Sequence, residues 1–331
     1  MGLGLLGLGY GFLSVPSTVE EAKSMMASHG EGHGEEHDSS AHNMQDHPTL
    51  AEAHHGTDTS DKHSDAQSHK ADADAHNDHN AHDKHVFDQM RNRPWSAFYV
   101  SALFSFLIAL GVLAFYAINR AAQAGWSPLL FRVMEGITSY LIPGGIILFA
   151  FFVLSGLHLN HLFVWMDPEV VAHDKLIQNK SGYLNTPFFL VRAAIYIGGW
   201  IAYRQYSRKL SLAEETASDN SAFVKNFRLA AGFLAFFLVS ESMMSWDWIM
   251  SVDPHWFSTL FGWYVFASFF VSGITVIALF TLYLKSKGLL EAVNNSHIHD
   301  LAKFMFGLSV FWTYLWFSQF MLIWYADIPE E

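Results

Sequence analysis

The chain contains no cysteine, and this absence excludes several kinds of site. Without thiolates it cannot hold an iron–sulfur cluster, a four-cysteine zinc site, a disulfide or a haem attached through a C-x-x-C-H motif. Any iron–sulfur cluster or covalently bound haem that serves its function must therefore lie on a partner protein.

Charged residues are scarce, at 15% of 331 residues, and acidic residues outnumber basic ones by 31 to 19. Residues 17–93 hold 16 Asp or Glu against 6 Lys or Arg, which is most of the net charge of −12. The rest of the chain is nearly neutral, so a basic nucleic-acid-binding surface is excluded. In contrast, 51% of the residues are apolar and 16% are aromatic, which is typical of a chain surrounded mainly by lipid.

Six apolar stretches have the roughly 20 residues that a membrane-spanning helix needs. They cover residues 95–118, 135–165, 187–206, 227–249, 257–284 and 301–325, and Pro143-Gly144-Gly145 interrupts the second. An apolar segment before Pro16 is shorter than a span, and we interpret it as the remaining part of a first helix. The sequence therefore predicts an all-α integral membrane protein, a polytopic helix bundle with about seven spans.

This pattern divides the chain into a first helix (1–16), an acidic loop (17–93) and the helix bundle (94–331). The loop contains 13 histidines between His29 and His85. It has too few large apolar residues to offset the entropy of folding, so we predict a disordered loop. Clustered imidazoles and carboxylates bind zinc or nickel. A metal-capturing loop and a solvated acidic spacer are therefore the two interpretations.

Lysine and arginine concentrate in every second loop between the predicted spans. Residues 207–226 include Arg208, Lys209 and Lys225, whereas residues 250–256 include no lysine or arginine. By the positive-inside rule the loops rich in lysine and arginine are cytoplasmic. This places the His-rich loop, the WMDPEV loop and the VDPHW loop on the outer face of the membrane.

Ionisable residues within the predicted spans are the candidate functional residues, because burying such groups in lipid costs several kcal/mol. His158, Arg192 and Glu241 belong to three successive spans. At 1.5 Å per residue, all three are expected roughly 8 to 12 Å below the outer surface of the membrane. A histidine, an arginine and a glutamate at one level suit either a quinone head group or a proton relay. The structural alternative is a buried Arg192–Glu241 pair that holds two helices together.

Four further residues extend this candidate pathway. Asp247 follows Ser240 by seven residues and so shares its helix face. Asp253 and His255 would extend the candidate pathway to the outer face of the membrane. Asp253 followed by proline is also typical of a plain turn. Glu135 lies at the cytoplasmic end of its span next to an arginine, as an interfacial ion pair or as the entrance of an inner proton channel. No residue is predicted to be catalytic or to bind a metal within the bundle.

Four segments of the bundle carry a resemblance to a known family: FRVMEGITSYLIPGG, SGLHLNHLFVWMDPEVV, SESMMSWDWIMSVDPHWFSTLFGWYVFASFFVSGI and SHIHDLAKFMFGLSVFWTYLWFSQFMLIWYADIPEE. Over residues 86–331 the chain resembles one membrane subunit of bacterial alternative complex III. That subunit belongs to the wider group of polysulfide-reductase-like, NrfD-type membrane subunits. The family has about ten helices per subunit, so the resemblance implies that the native chain is longer.

The resemblance implies a respiratory quinol:cytochrome c oxidoreductase. Multihaem cytochrome c and iron–sulfur subunits would take the electrons, a homologous membrane subunit would bind quinol, and a terminal oxidase is a further candidate partner. This chain is similar to the other membrane subunit, so it would translocate protons or support the quinol site, with no activity alone and no cofactor except a candidate quinone. Glu241, Asp247, His158 and Asp253 carry over as pathway candidates. The residues alone leave two alternatives, a metal-ion transporter with a His-rich loop and a purely structural membrane anchor.

Overall fold

A computed structural model describes the backbone of residues 65–217 and 219–327, together with isolated positions between residues 10 and 24. Side chains are described from residue 90 onward, apart from residues 169 and 218, and at those isolated positions. The predicted first helix is thus described at only a few positions. Residues 25–64 of the predicted His-rich loop lie outside the described residues, and their disorder and metal binding stay predictions.

Within residues 65–327 the structure has nine α-helices and no strand among the described residues. They are α1 (Asp65–Ala121), α2 (Phe131–Ile137), α3 (Leu141–Gly156), α4 (Pro168–His173), α5 (Lys175–Lys180), α6 (Thr186–Thr216), α7 (Ser221–Met244), α8 (Phe261–Ser286) and α9 (Asn295–Tyr325). Short 3-10 turns flank α2, and a π-helical turn, Ser245–Ile249, continues α7. The predicted all-α class is confirmed.

Five stretches of the described residues are long and apolar enough to cross a membrane. They are Met90–Ala121, Pro128–Gly156, Ser221–Val252, Phe261–Ser286 and Asn295–Tyr325. These match five of the six predicted spans. The sixth corresponds to α6, which is 31 residues long but carries Arg192 and Arg204 in its apolar part, and these two arginines lower its mean hydropathy. The chain is therefore a polytopic α-helical membrane bundle.

Helix α1 begins at Asp65, inside the segment for which the sequence predicts no regular structure. Between Gly56 and Pro94 the chain has neither glycine nor proline, the two residues that most disfavour a helix. Their absence permits the helical backbone of residues 65–93, which the prediction of a disordered loop did not include.

Helix α1 forms the centre of the bundle from residue 95 onward, and α9 forms its edge. In α1, 67% of the most apolar window is buried, against 6% in α9. Gly111 of α1 lies so close to α8 that a Cβ atom there would be 2.5 Å from the carbonyl oxygen of Phe269. Small residues permit such close approach of helices in membranes. The α1–α8 distance is therefore fixed by Gly111.

Two helical hairpins complete the bundle, with α6 packed along α7 and α8 packed along α9. The side chain of Asn185 caps α6 by accepting a hydrogen bond from the backbone N–H of Phe188 at 3.0 Å. Asn294 caps α9 in the same way. Because asparagine at the N-cap satisfies backbone donors that have no partner within the helix, both helices begin where the sequence supplies that residue.

Candidate functional site

Helix α6 presents a line of buried polar side chains along one face. The line is Arg192, Tyr196, Tyr203, Arg204, Ser207 and Ser211, and Glu214 extends it. Apart from the neighbours Tyr203 and Arg204, successive residues of this line are three, four or seven positions apart, which keeps them on one side of the helix. From Arg192 to Glu214 the rise is about 33 Å, comparable to the roughly 30 Å of a bilayer core. A buried polar face of this length therefore suffices to connect the two membrane surfaces.

The Arg192 cluster consists of Arg192, Asp247, Tyr196 and Tyr183. Arg192 Nε donates to Asp247 Oδ2 at 2.7 Å, and Nη2 donates to Oδ1 at 2.8 Å. The Tyr196 hydroxyl donates to Asp247 Oδ2 at 3.1 Å. Both ionic side chains are buried, at 5% and 0% exposure. This bidentate pair joins α6 to the end of α7 and satisfies the carboxylate with three donors.

The π-helical turn Ser245–Ile249 places Asp247 in this cluster. A π turn inserts an extra residue into a helix and is frequent at functional sites. On the other side, the ring of Tyr183 lies 3.9 Å from the guanidinium carbon of Arg192. The Tyr183 carbonyl also accepts a hydrogen bond from Arg192 Nη1 at 3.1 Å. Burial raises the pKa of the Tyr183 hydroxyl above its usual range, so this hydroxyl stays protonated at neutral pH.

Aromatic side chains occupy the middle of the bundle between α1, α6 and α7. Trp200 Nε1 donates to Ser240 Oγ at 3.0 Å, and Tyr99 donates to the backbone carbonyl of Trp248 at 2.6 Å. The rings of Trp200 and Trp248 lie 5.9 Å apart in an edge-to-face arrangement. Ser240 and Asp247 thus both face α6, as their spacing predicts.

Glu241 of α7 follows Ser240 directly in the sequence but is not part of the ion pair. It is 4% exposed, and its Oε2 accepts only a long hydrogen bond of 3.5 Å from Ser242 Oγ. Its Oε1 is buried with no hydrogen-bond partner among the described residues. The predicted Arg192–Glu241 pair is therefore wrong, because Asp247 takes both donors of Arg192 that face α7. Glu241 is left as a buried carboxyl to which no described cation is paired.

The Arg120 cluster lies near the opposite end of α6 and joins α1, α6 and α7. Arg120 donates to Glu214 Oε2 at 2.6 Å, to Ser211 Oγ at 2.8 Å and to the Tyr116 hydroxyl at 3.1 Å. Tyr116 in turn accepts from Ser207 Oγ at 3.2 Å. Asn226 of α7 hydrogen-bonds to both Ser207 and Glu214. These contacts form one connected network of buried polar groups.

Glu135 connects this network to α2. Its Oε1 accepts from the Tyr116 hydroxyl at 3.3 Å, and its Oε2 pairs with Arg132. Arg132 also pairs with Glu215. Two buried polar atoms beside the network, Arg204 Nε and the Tyr203 hydroxyl, have no hydrogen-bond partner within the described part of the chain. Glu135 is 7% exposed, so it is a buried member of the cluster as well as part of an ion pair.

The remaining predicted residues lie in loops. Helix α3 ends at Gly156, not at residue 165, and His158 occupies an exposed turn with a positive φ of 59°. The prediction that His158 lies on a membrane-spanning helix, from which its depth was calculated, is therefore wrong. Sequence hydropathy extended the helix through LNHLFVW, whereas the αL turn at His158 ends it.

Asp253 and His255 lie in the turn after α7, and both are exposed. Asp253 Oδ1 accepts from the backbone N–H of His255 at 3.2 Å, which is the plain turn that the sequence also allows. His255 Nε2 lies 2.6 Å from Asp174 Oδ2. Backbone N–H groups of Ile177 and Leu176 donate to Asp174, and together with His255 they lower the pKa of that carboxyl. These contacts fasten α5 to the turn after α7.

Most residues of the Arg120 cluster were missed by sequence reasoning. One sequence pattern could have identified Asn226 of this cluster. On α7, Asn226, Ser240 and Asp247 are separated by multiples of seven residues and therefore share one helix face. No comparable rule identified Arg120, which lies at the end of an apolar span where basic residues are common. The described residues contain no group of three or more His, Asp or Glu arranged to hold a metal ion.

Comparison of the chain with models of known protein families gave no match, and comparison with functionally curated proteins gave none.

Proposed function

We propose that this chain is the proton-handling membrane subunit of a respiratory quinol:cytochrome c oxidoreductase of the alternative complex III type. The resemblance of four bundle segments supports the complex. The membrane bundle with buried polar groups supports the proton-handling role. In this proposal the chain lies in a bacterial inner membrane with its His-rich loop in the periplasm. Haem c and iron–sulfur clusters belong to partner subunits, and a homologous membrane subunit binds quinol.

The observation that carries the proton-handling role is the buried carboxyl of Glu241 in α7. Its Oε1 has no partner among the described residues, whereas each oxygen of Asp247 is occupied by donors from Arg192 or Tyr196. A carboxyl that is not held by an arginine exchanges its proton without breaking an ion pair. We therefore assign proton transfer to Glu241 and assign a positioning role to the Arg192–Asp247 pair.

The Arg120 cluster supplies the other half of the path. Its hydroxyl, amide and carboxylate groups connect Glu135 through Tyr116 to Ser207 and Asn226. Hydroxyl groups both donate and accept hydrogen bonds, so they pass protons when water bridges the gaps between them. Tyr203, whose buried hydroxyl has no partner within the described residues, lies on the same face of α6 between the two clusters.

The test uses the intact complex purified through a tag on this chain and reconstituted into vesicles. Glu241→Gln keeps the shape of the side chain and removes the exchangeable proton. We expect fewer protons translocated per electron, while the exposed loop residue Glu291, changed to Gln, leaves the ratio unaltered. A ratio equal to that of the wild type in both variants would contradict the assignment of Glu241.

The complex itself is tested by the composition of that purification. The proposal requires haem c and iron–sulfur absorbance to accompany this chain in a fixed ratio. A stable full-length protein that purifies without any haem- or cluster-bearing partner would overturn it.

One observation favours a second candidate, the structural anchor. The bidentate Arg192–Asp247 pair and the Arg120–Glu214 pair join helices at both ends of α6. If these contacts only hold the bundle together, Glu241→Gln alters neither the proton ratio nor the turnover rate.

A further inference from the structure

A cavity of about 650 Å³ opens where α5, the start of α6 and the turn after α7 meet. Its lining is mainly apolar and includes Asn179, Lys180, Tyr183, Trp256 and Phe257. Cavities of this size hold small organic ligands and are usually lined by apolar side chains with a few placed polar groups. None of the proton-path residues assigned above lines it.

The charge of the cavity determines which ligand fits. Lys180 is the one charged residue in the lining given above, and no carboxylate accompanies it. Its ammonium group donates to the carbonyl of Pro254 at 2.6 Å, which leaves two of its three protons for a ligand. Asn179 adds an amide with two further donors. A cavity with one cation, several donors and no anion selects a negatively charged group.

The apolar part of the lining indicates that this group belongs to a lipid. Phe257 is 69% exposed and Trp256 is 42% exposed at the rim. Tryptophan and other aromatic side chains favour the level of the lipid head groups in a membrane. The cavity lies where the span ending at Val252 passes into its loop, which is that level. A soluble anion would use the donors but not this apolar rim.

We propose that this cavity binds the phosphate head group of an anionic phospholipid. Lys180 and the amide of Asn179 contact the phosphate oxygens, and Trp256 and Phe257 lie beside the acyl chains. Tyr183 forms part of the wall and also stacks on Arg192. The bound lipid thus supports the Arg192 cluster from the membrane side. This site is independent of the respiratory assignment.

The test is native mass spectrometry of the full-length chain in detergent, titrated with phosphatidylglycerol or with phosphatidylcholine of identical acyl chains. The wild type is expected to bind its first phosphatidylglycerol about tenfold more tightly than phosphatidylcholine, as a charge-assisted contact predicts. Lys180→Gln removes this preference, and Lys180→Arg retains it.

The matched control is Lys175, an exposed lysine at the start of the same short helix that does not line the cavity. Lys175→Gln is expected to leave the preference intact. Equal affinities for the two lipids in the wild type overturn the proposal. Equal losses in Lys175→Gln and Lys180→Gln also overturn it, because they show unspecific attraction to surface charge. Displacement of the lipid by inorganic phosphate at the same concentration would show a site for free anions instead.

Discussion

Replacing Asp247 by asparagine leaves Arg192 buried without its counter-ion, and this change tests the central contact of the bundle. In the folded protein Arg192 makes two hydrogen bonds of 2.7 and 2.8 Å to the carboxylate. The asparagine amide can accept from only one of these donors, and its NH₂ group faces the other. Besides the asparagine oxygen, the arginine then has the Tyr183 carbonyl, at 3.1 Å, as an acceptor.

The size of the effect follows from the burial of both partners. Arg192 is 5% exposed and Asp247 is 0% exposed, so solvent does not screen the remaining charge. Two unit charges about 4 Å apart attract by about 4 kcal/mol at an effective dielectric constant of about 20. Breaking buried pairs by removing one partner costs about 3–5 kcal/mol in measured cases. We therefore expect Asp247→Asn to lower the free energy of unfolding by about 3–5 kcal/mol.

The assay is a double-mutant cycle of denaturant unfolding in detergent, with Asp247→Asn, Arg192→Met and the double variant. The double variant buries no unpaired charge, so it should be less destabilised than the sum of the single variants by at least about 1 kcal/mol. Glu241→Gln, which breaks no ion pair, is the control and should cost less than about 1 kcal/mol. Additive single effects would refute the argument that the two residues act as one pair.

Three further predictions concern other parts of the bundle. Arg120→Met should lower the free energy of unfolding by about 3 kcal/mol, because its carboxylate partner loses a contact of 2.6 Å. An effect within error of the wild type would show that solvent already screens this pair. Gly111→Ala should cost about 1–3 kcal/mol, because the new Cβ would lie 2.5 Å from the carbonyl oxygen of Phe269. Gly307→Ala, in open space on α9, should cost nothing, and equal effects at the two glycines would contradict this reasoning. Asp174 has a lowered pKa, so it stabilises its loop above the unfolded pKa of about 3.9 and loses this effect as the pH falls through the lower, folded value. The protection factors of the α5 amides, which correct for the intrinsic exchange rate at each pH, should therefore fall in acid, and Asp174→Ala should lower them already at pH about 7; unchanged protection factors in both experiments would exclude a role for this carboxylate.

The helices themselves were largely predictable because apolar length is a local property. Five of the six predicted spans in residues 94–331 recur as helices long and apolar enough to cross a membrane. The predicted end of a helix was wrong where the backbone conformation of one residue ended the helix inside an apolar stretch. The αL turn at His158 ended α3 early, although the following residues remain apolar. A hydropathy window averages over such a turn and does not detect it.

The sequence by itself determined that the chain is an α-helical membrane protein and that Arg192, Glu241, Asp247 and Glu135 lie within or beside its spans. Burying these groups in lipid is costly wherever they point, so their presence alone marked them as candidates. Only the tertiary structure decided the pairing. Arg192 bonds to Asp247 because the π turn and the packing of α6 on α7 bring the two together, and Glu241 remains unpaired among the described residues. Which of two carboxylates six residues apart meets an arginine depends on helix rotation and contact across 55 residues of sequence, and no local pattern encodes that rotation.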